Sequence, residues 1–340
     1  MPPRQWHRPP PRRKSGMGVV GVLGVVFGGM AALFVLVVIG AAMMRGSDRS
    51  DTTNPVAIPT YSPSESATED DEPFPTRTRT QTQTDEPTTD VTPPTRTVNR
   101  SLKRNTMYLA GALPRLNCRG GNVNIFNHSQ VKALIMKTSR CMDQGWGSIL
   151  QKQGIQFSKP NWAIAATKGR GACGDYPSPG NIVPYYCPRN NTIYVSTSAT
   201  TRGNANSRGY GQLLSWHGSI TSIMAHEYGH HVQKITGLME SYWSSEAQAG
   251  QSAKLALSRR LELQATCFAG MWMRSVATSY PVSTANRGRL YWFHGQLGDH
   301  PQYPRDHGKP VNNNRWFRQG WERSKTHQCN TWMAPSSTVS

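Results

Sequence analysis

From Met17 to Met44 the chain runs for 28 residues without a charged side chain, and a stretch of that kind must either cross a membrane or be buried completely. It exceeds the roughly 20 residues that a transmembrane helix needs and the 7–15 of a cleavable signal peptide's apolar region. Five basic residues, Arg4, Arg8, Arg12, Arg13 and Lys14, precede it with no acid among them. Because Lys and Arg gather on cytoplasmic flanks, the pattern predicts a cytoplasmic tail at 1–16, a single uncleaved span at 17–44 and everything beyond Arg45 outside the cytoplasm. Cleavage near Ala41-Ala42 is the alternative.

Residues 45–100 are rich in Thr, Pro, Ser and acids, with the run Glu69-Asp70-Asp71-Glu72 and few large apolar side chains. Such a composition cannot bury enough surface to offset its ordering entropy. The expectation is a disordered stalk over 45–100 and a packed domain over 101–340. That domain holds 27 Lys and Arg against nine acids, a net +18 that draws it toward anionic partners. No zinc-finger, homeodomain or RNA-binding signature accompanies the charge, so nucleic acid is not expected as a partner. On an exported domain the charge suits anionic envelope polymers or lipid head groups.

All six cysteines, Cys118, Cys141, Cys173, Cys187, Cys267 and Cys329, lie in the exported region, where an even number implies three disulfides. None forms a CxxC pair, which argues against thiolate zinc ligation or redox chemistry. Spacing alone leaves all 15 pairings open.

Apolar residues at Val131, Leu134, Ile135, Met142, Trp146 and Ile149 predict a helix between Asn127 and Gln151. Two β-rich runs, Trp162–Thr167 and Thr192–Thr197, predict strands joined by a Gly/Pro-rich loop carrying two cysteines. A helix is expected from about Gln212 to Ile235, stopped by Gly237, and another from a Ser244 or Ser245 cap to about Val276. Beyond about 283, Pro and Gly interrupt the pattern. The fold class is α+β, mainly helical with a small β-sheet.

His226-Glu227-Tyr228-Gly229-His230 lies inside the first of these long helices. Residues four apart share a helix face, so two imidazoles can grip one Zn²⁺ while Glu227 reaches a metal-bound water as general base. His231 points off that face, to an outer position around the metal or to the surface. A third ligand is required, and the metzincin continuation is excluded because Gln233 and Thr236 stand where Gly and His are needed. The acids downstream are Glu240, Glu246, Glu262, Asp299, Asp306 and Glu322. Glu262 alone sits mid-helix among apolar neighbours, where an acid is costly unless paired or bound to metal. A Glu262 exposed beside Arg259 and Arg260 is the simpler alternative.

HEYGHHVQ at 226–233 and RRLELQATCFAG at 259–270 resemble the neutral zinc metallopeptidase family of bacterial envelope proteins. The likeness extends to the loop around Cys173, Tyr185-Tyr186-Cys187-Pro188, the strand Thr192–Val195, His307-Gly308, Arg315-Trp316-Phe317 with Gly320, and Cys329-Asn330-Thr331, covering roughly 101–335. It implies a zincin-like domain with one Zn²⁺ per chain held by His226, His230 and Glu262. Also implied are peptide hydrolysis through Glu227, a substrate strand lying along the Thr192–Thr197 edge, and the pairs Cys173–Cys187 and Cys267–Cys329, with Cys118–Cys141 as the remainder. His307, in a family-like segment, is a candidate oxyanion donor. The family usually has Asp where this chain has Thr266, so Thr266 becomes a neutral outer partner whose hydroxyl is expected to bond the preceding helical turn instead of a ligand. The competing expectation is a weakly active or inactive zinc protein that adheres to anionic wall polymers.

Overall fold

The structure, a computed structural model, describes residues 55–58, 97–177, 183–202, 216–280, 282, 284–301 and 304–340. The expected span at 17–44 lies outside the described residues, among which no helix is long and apolar enough to cross a membrane.

Helix α1 (His128–Gln151) opens at Asn127, whose side chain accepts from Gln130 N, and it buries the apolar stripe that predicts it. Strands β1 (Asn161–Ala165), β2 (Gly169–Gly171), β3 (Gly174–Tyr176), β4 (Tyr185–Cys187) and β5 (Thr192–Ser196) follow, then the short helix α2 (Thr197–Arg202). β2 and β3 form a separate antiparallel hairpin, while the main sheet has the order β1-β5-β4. β5 runs parallel to β1, pairing Asn161 with Thr192, and antiparallel to β4, pairing Tyr186 with Ile193. The expectation of a free edge at Thr192–Thr197 is therefore corrected. All five residues of β5 are buried, as suits a strand covered on both faces. β1 and β4 are the outer strands of that sheet.

The later helices are α3 (His217–Ile235), α4 (Leu238–Ala247), α5 (Gln251–Ser275), α6 (Thr284–His294) and α7 (Pro310–Arg323). α3 begins at His217 and not near Gln212, because Trp216 has extended backbone. Gly237 takes φ 77 just after α3, at the predicted stop, and leads directly into α4. Ser244 and Ser245 do not cap a helix. Both lie within α4 and bond back to Glu240 O and Ser241 O, and α5 starts beyond them behind the extended Gly250.

α3 is buried nearly all round, and α5 lies between it and α7. The α3–α5 approach is made at Gly229, where an added Cβ would stand 3.1 Å from Ala265 Cα. On the far side of α5, a Cβ at Gly320 would meet Cys267 O, and one at Gly270 would meet Phe317 O. The core around these contacts includes Trp146, Trp272, Trp316, Phe268 and Phe317, with Trp146 edge-on to Phe268 at 5.2 Å. Disulfides join Cys118 to Cys141, Cys173 to Cys187 and Cys267 to Cys329. The first ties α1 to the preceding loop, the second ties the β2–β3 turn to the end of β4, and the third pins α5 to the C-terminal segment.

Of the stretch expected to be a stalk, the structure describes residues 55–58 and 97–100, and both pieces pack on the domain. Val56 and Ile58 are buried in the main core, and the Gln319 side-chain amide bonds both Val56 N (3.1 Å) and Val56 O (2.9 Å). This satisfies the segment's backbone as a neighbouring strand would. Asn99 N donates to Thr106 Oγ1 and the Arg100 side chain lies over Gly237.

Two glycine substitutions test the packing of α5. Gly320→Ala should destabilise the protein by about 1–3 kcal/mol through overpacking. Gly288→Ala, on the exposed face of α6 with nothing near its added Cβ, should stabilise it by about 0.5–1 kcal/mol. Urea denaturation of the two variants measures both.

Candidate metal centre

The close approach at Gly229 sets α5 opposite the face of α3 that carries His226 and His230. Glu262 Oε2 lies 3.2 Å from His226 Nε2 and 3.3 Å from His230 Nε2, and the two Nε2 atoms are 3.2 Å apart. Four tetrahedral ligands at the usual zinc distance of about 2.0–2.1 Å stand about 3.3 Å from one another, so this triangle is one face of a zinc tetrahedron. Two imidazoles and a carboxylate are the donor set of a catalytic zinc site with its fourth position open. The donors fit the ion.

Among the described residues the other candidate acids lie elsewhere. Glu240 pairs with Lys234, Glu322 faces Arg318 and Tyr291, and Asp299 and Asp306 both bond to His307. Glu262 is not an exposed residue beside Arg259 and Arg260 either, being 5% exposed. Arg260 turns instead to the carbonyls of Thr331 and Ala334, and Arg259 to those of Arg305 and Val339.

The metal-free electrostatics show what the pocket demands. Burial alone would raise the Glu262 carboxyl, but the charges of His230 and His307 hold it well below the usual carboxylate range. Burial would depress His230 as well, yet Glu262 outweighs it and raises that imidazole to about 9, whereas His226, dominated by burial, falls to about 4. The pocket thus collects positive charge around one buried carboxylate, and a divalent cation can supply that charge in place of a proton.

Glu227 is buried beside this triangle, and its Oε2 accepts from Tyr186 N at 2.8 Å. Burial pushes its carboxyl up to about 8, toward the range of a base that must take and return a proton near neutrality. His307 comes from the loop before α7. Its Nε2 lies 3.8 Å from Glu262 Oε2, while its Nδ1 meets Asp306 Oδ1 at 2.6 Å. Burial would lower the ring, but Glu262, Asp306 and Asp299 outweigh it and raise it to about 9. Asp299 Oδ1 also accepts from His307 N, so the loop is held through both its backbone and its ring.

The outer nitrogens of the two helix histidines are also held. His230 Nδ1 meets Gln233 Oε1 at 2.9 Å, and Gln233 Nε2 donates to Leu261 O and to Gln264 Oε1. His226 Nδ1 lies 3.2 Å from Thr266 Oγ1. The expectation that the Thr266 hydroxyl bonds its preceding turn is corrected, since that hydroxyl donates across to Asn313 Oδ1 at 3.2 Å. His231 is neither a surface residue nor a partner of the ligands. It is fully buried, with Nε2 donating to Ser158 O and Nδ1 3.3 Å from the Tyr186 hydroxyl. Tyr228 is buried and donates to Asp143 on α1.

Gln233, Gln264, Asp306 and Asn313 escape the sequence reading. Gln233 had a local signal, one turn beyond His230 on the same face. Asp306 had a weaker one as the neighbour of His307. Asn313 and Gln264 had none, because their roles depend on how α5 and α7 pack.

An HExxH helix facing a glutamate from the next long helix is the arrangement of a glutamate-ligand zinc metallopeptidase. A family model described as "Putative neutral zinc metallopeptidase" matches residues 119–287, just under half of the chain, which is similar to that family over this stretch. The match takes in His226, Glu227, His230 and Glu262 but ends before His307. That description names zinc and peptidase activity for the family. "Uncharacterized protein YpfJ" of Escherichia coli K12 is 28% identical over 196 residues, 55% of this chain and 66% of that protein. "Uncharacterized protein Mb2605" of Mycobacterium bovis and "Uncharacterized protein Rv2575" of Mycobacterium tuberculosis H37Rv are each 25% identical over 254 residues, 67% of this chain and 78% of the relative. The chain therefore spans just under two thirds of the E. coli relative's length. No solved structure gives a significant match.

Zinc must displace the proton from His230, so affinity should depend on pH. Between pH 8 and pH 6, below that group's value of about 9, the zinc association constant should fall about tenfold for each unit of acidification. Competition against a chromophoric chelator measures this, and a flat profile would contradict the ligand geometry. In the same assay Glu262→Ala should lose most of the bound zinc while Glu240→Ala retains it.

Proposed function

We propose that this chain is a zinc-dependent peptidase with one Zn²⁺ per chain held by His226, His230 and Glu262. The triangle of ligand atoms 3.2–3.3 Å apart, with Glu227 buried beside it, is the observation that carries this reading. When bound, zinc polarises the scissile carbonyl and lowers the pKa of a water molecule.

The chain's own residues do the rest. Glu227, oriented by Tyr186 N, takes the proton of the attacking water and delivers it to the leaving amine. Its raised pKa suits both transfers. His307, kept protonated at neutral pH and aimed by Asp306, donates Nε2–H to the developing oxyanion. With β5 paired on both sides, a substrate strand would have to lie along an outer strand, and β4, Tyr185–Cys187, is the one tied to Glu227, which takes its Tyr186 N–H. Backbone pairing along that edge gives sequence-tolerant binding.

The charge-free run at 17–44 with its basic flank, together with three disulfides, supports a single-pass anchor with the N-terminus cytoplasmic and the catalytic domain outside the membrane. The +18 of residues 101–340 suits a surface facing anionic envelope polymers.

The test is cleavage of casein or a quenched peptide by the purified protein, with and without a chelator. Glu227→Gln should lower turnover at least about 10²-fold while bound zinc stays near one per chain. His307→Asn should lower kcat by about 10²- to 10³-fold with zinc content unchanged. A chain that retains zinc and binds wall polymer, yet cleaves nothing at any pH, would be the adhesive zinc protein instead.

A further inference from the structure

His226, Thr266 and Asn313 are each about 1% exposed, so every polar hydrogen among them must find a partner within the protein. Asn313 Nδ2 donates to His307 O at 3.0 Å and to Gly308 O at 3.1 Å. Both acceptors are carbonyls, so the amide can sit only one way round, with Oδ1 toward Thr266. Oδ1 can only accept, so the Thr266 hydroxyl must donate its single hydrogen to it at 3.2 Å. That leaves Thr266 Oγ1 only its lone pairs toward His226 Nδ1 at 3.2 Å. Nδ1 must then carry the ring hydrogen, and Nε2 is left bare toward Glu262 and His230.

We infer that Asn313 is a positioning residue for the metal centre: through Thr266 it fixes the His226 tautomer that exposes Nε2 to the ion, and through its amide it ties that histidine to the loop carrying His307. The inference rests on His226 being a ligand. Two neutral side chains on different helices do here what one carboxylate at position 266 would do alone. A carboxylate there would take the His226 N–H directly and leave Asn313 with only its loop contacts. The chain of bonds also links the position of His226, through Thr266, to that of His307, whose carbonyl accepts from the Asn313 amide.

The experiment is a double-mutant cycle on the full-length protein, reading zinc affinity by chelator competition and the thermal midpoint of the zinc-free form. Thr266→Val keeps the shape and removes the hydroxyl, and it should weaken zinc about 10- to 100-fold, the usual loss when a ligand histidine's outer partner is removed. Thr266→Ser should restore affinity to within about twofold of the parent. Asn313→Ala should weaken zinc by a similar factor, and the Thr266→Val, Asn313→Ala pair should be little worse than either alone. In a Thr266→Asp background, Asn313→Ala should change zinc affinity by less than about twofold. Equal losses from Asn313→Ala in the parent and in the Thr266→Asp background would overturn the inference, as would a Thr266→Val protein that binds zinc like the parent. A parent chain that binds no zinc, or a Glu262→Ala chain that binds it normally, would instead sink the ligand assignment itself.

Discussion

The contact between Gly229 and Ala265 governs the rest of the site. A hydrogen at position 229 lets two buried helices approach until a Cβ there would stand 3.1 Å from Ala265 Cα. Glu262 lies one turn before Ala265 on α5, and His226 and His230 flank Gly229 on α3. Glutamate and histidine side chains therefore span the gap at 3.2–3.3 Å. α5 has little freedom to drift outward, because Gly270 and Gly320 set α7 equally close on its other side, and the Cys267–Cys329 bond holds its middle. Close-packed interiors transmit strain over such distances, so the ligand geometry is a property of three helices and not of one motif.

The polar groups buried with the ligands follow a second rule. Apart from Glu262, the partners that hold the two helix histidines are an amide, Gln233, and a hydroxyl, Thr266. Carboxylates are kept for His307, which Asp306 and Asp299 hold in its charged form. The division matches the tasks proposed for the rings. A metal ligand must be neutral at the nitrogen it offers, while a donor to a developing anion works best when cationic.

What was legible in the sequence follows the range of the interactions involved. The histidine pair, Glu227 and Glu262 could be read because helical periodicity and an isolated acid in an apolar run are local signals. Gln233 could have been read by the same rule. The order of strands could not, because β5 pairs with β1 across a crossover and its all-buried pattern resembles any short apolar run. The join between α4 and α5 was missed because Ser244 and Ser245 look like caps by composition, whereas helix serines equally bond back to the preceding turn. Asn313 was invisible, since its importance depends on which carbonyls the loop at 307–308 presents after α7 has docked.

The docking of Val56 and Ile58 against Gln319 changes the geometry of attachment. If Met17–Met44 crosses a membrane, a tether ending at residue 97 would take in all of 45–96. With the chain already fastened at Pro55, only residues 45–54 separate the bilayer from the folded body. Ten fully extended residues reach at most about 35 Å, less than a small domain's own breadth. Were the proposed anchor present, the folded body would be held within that reach of the bilayer.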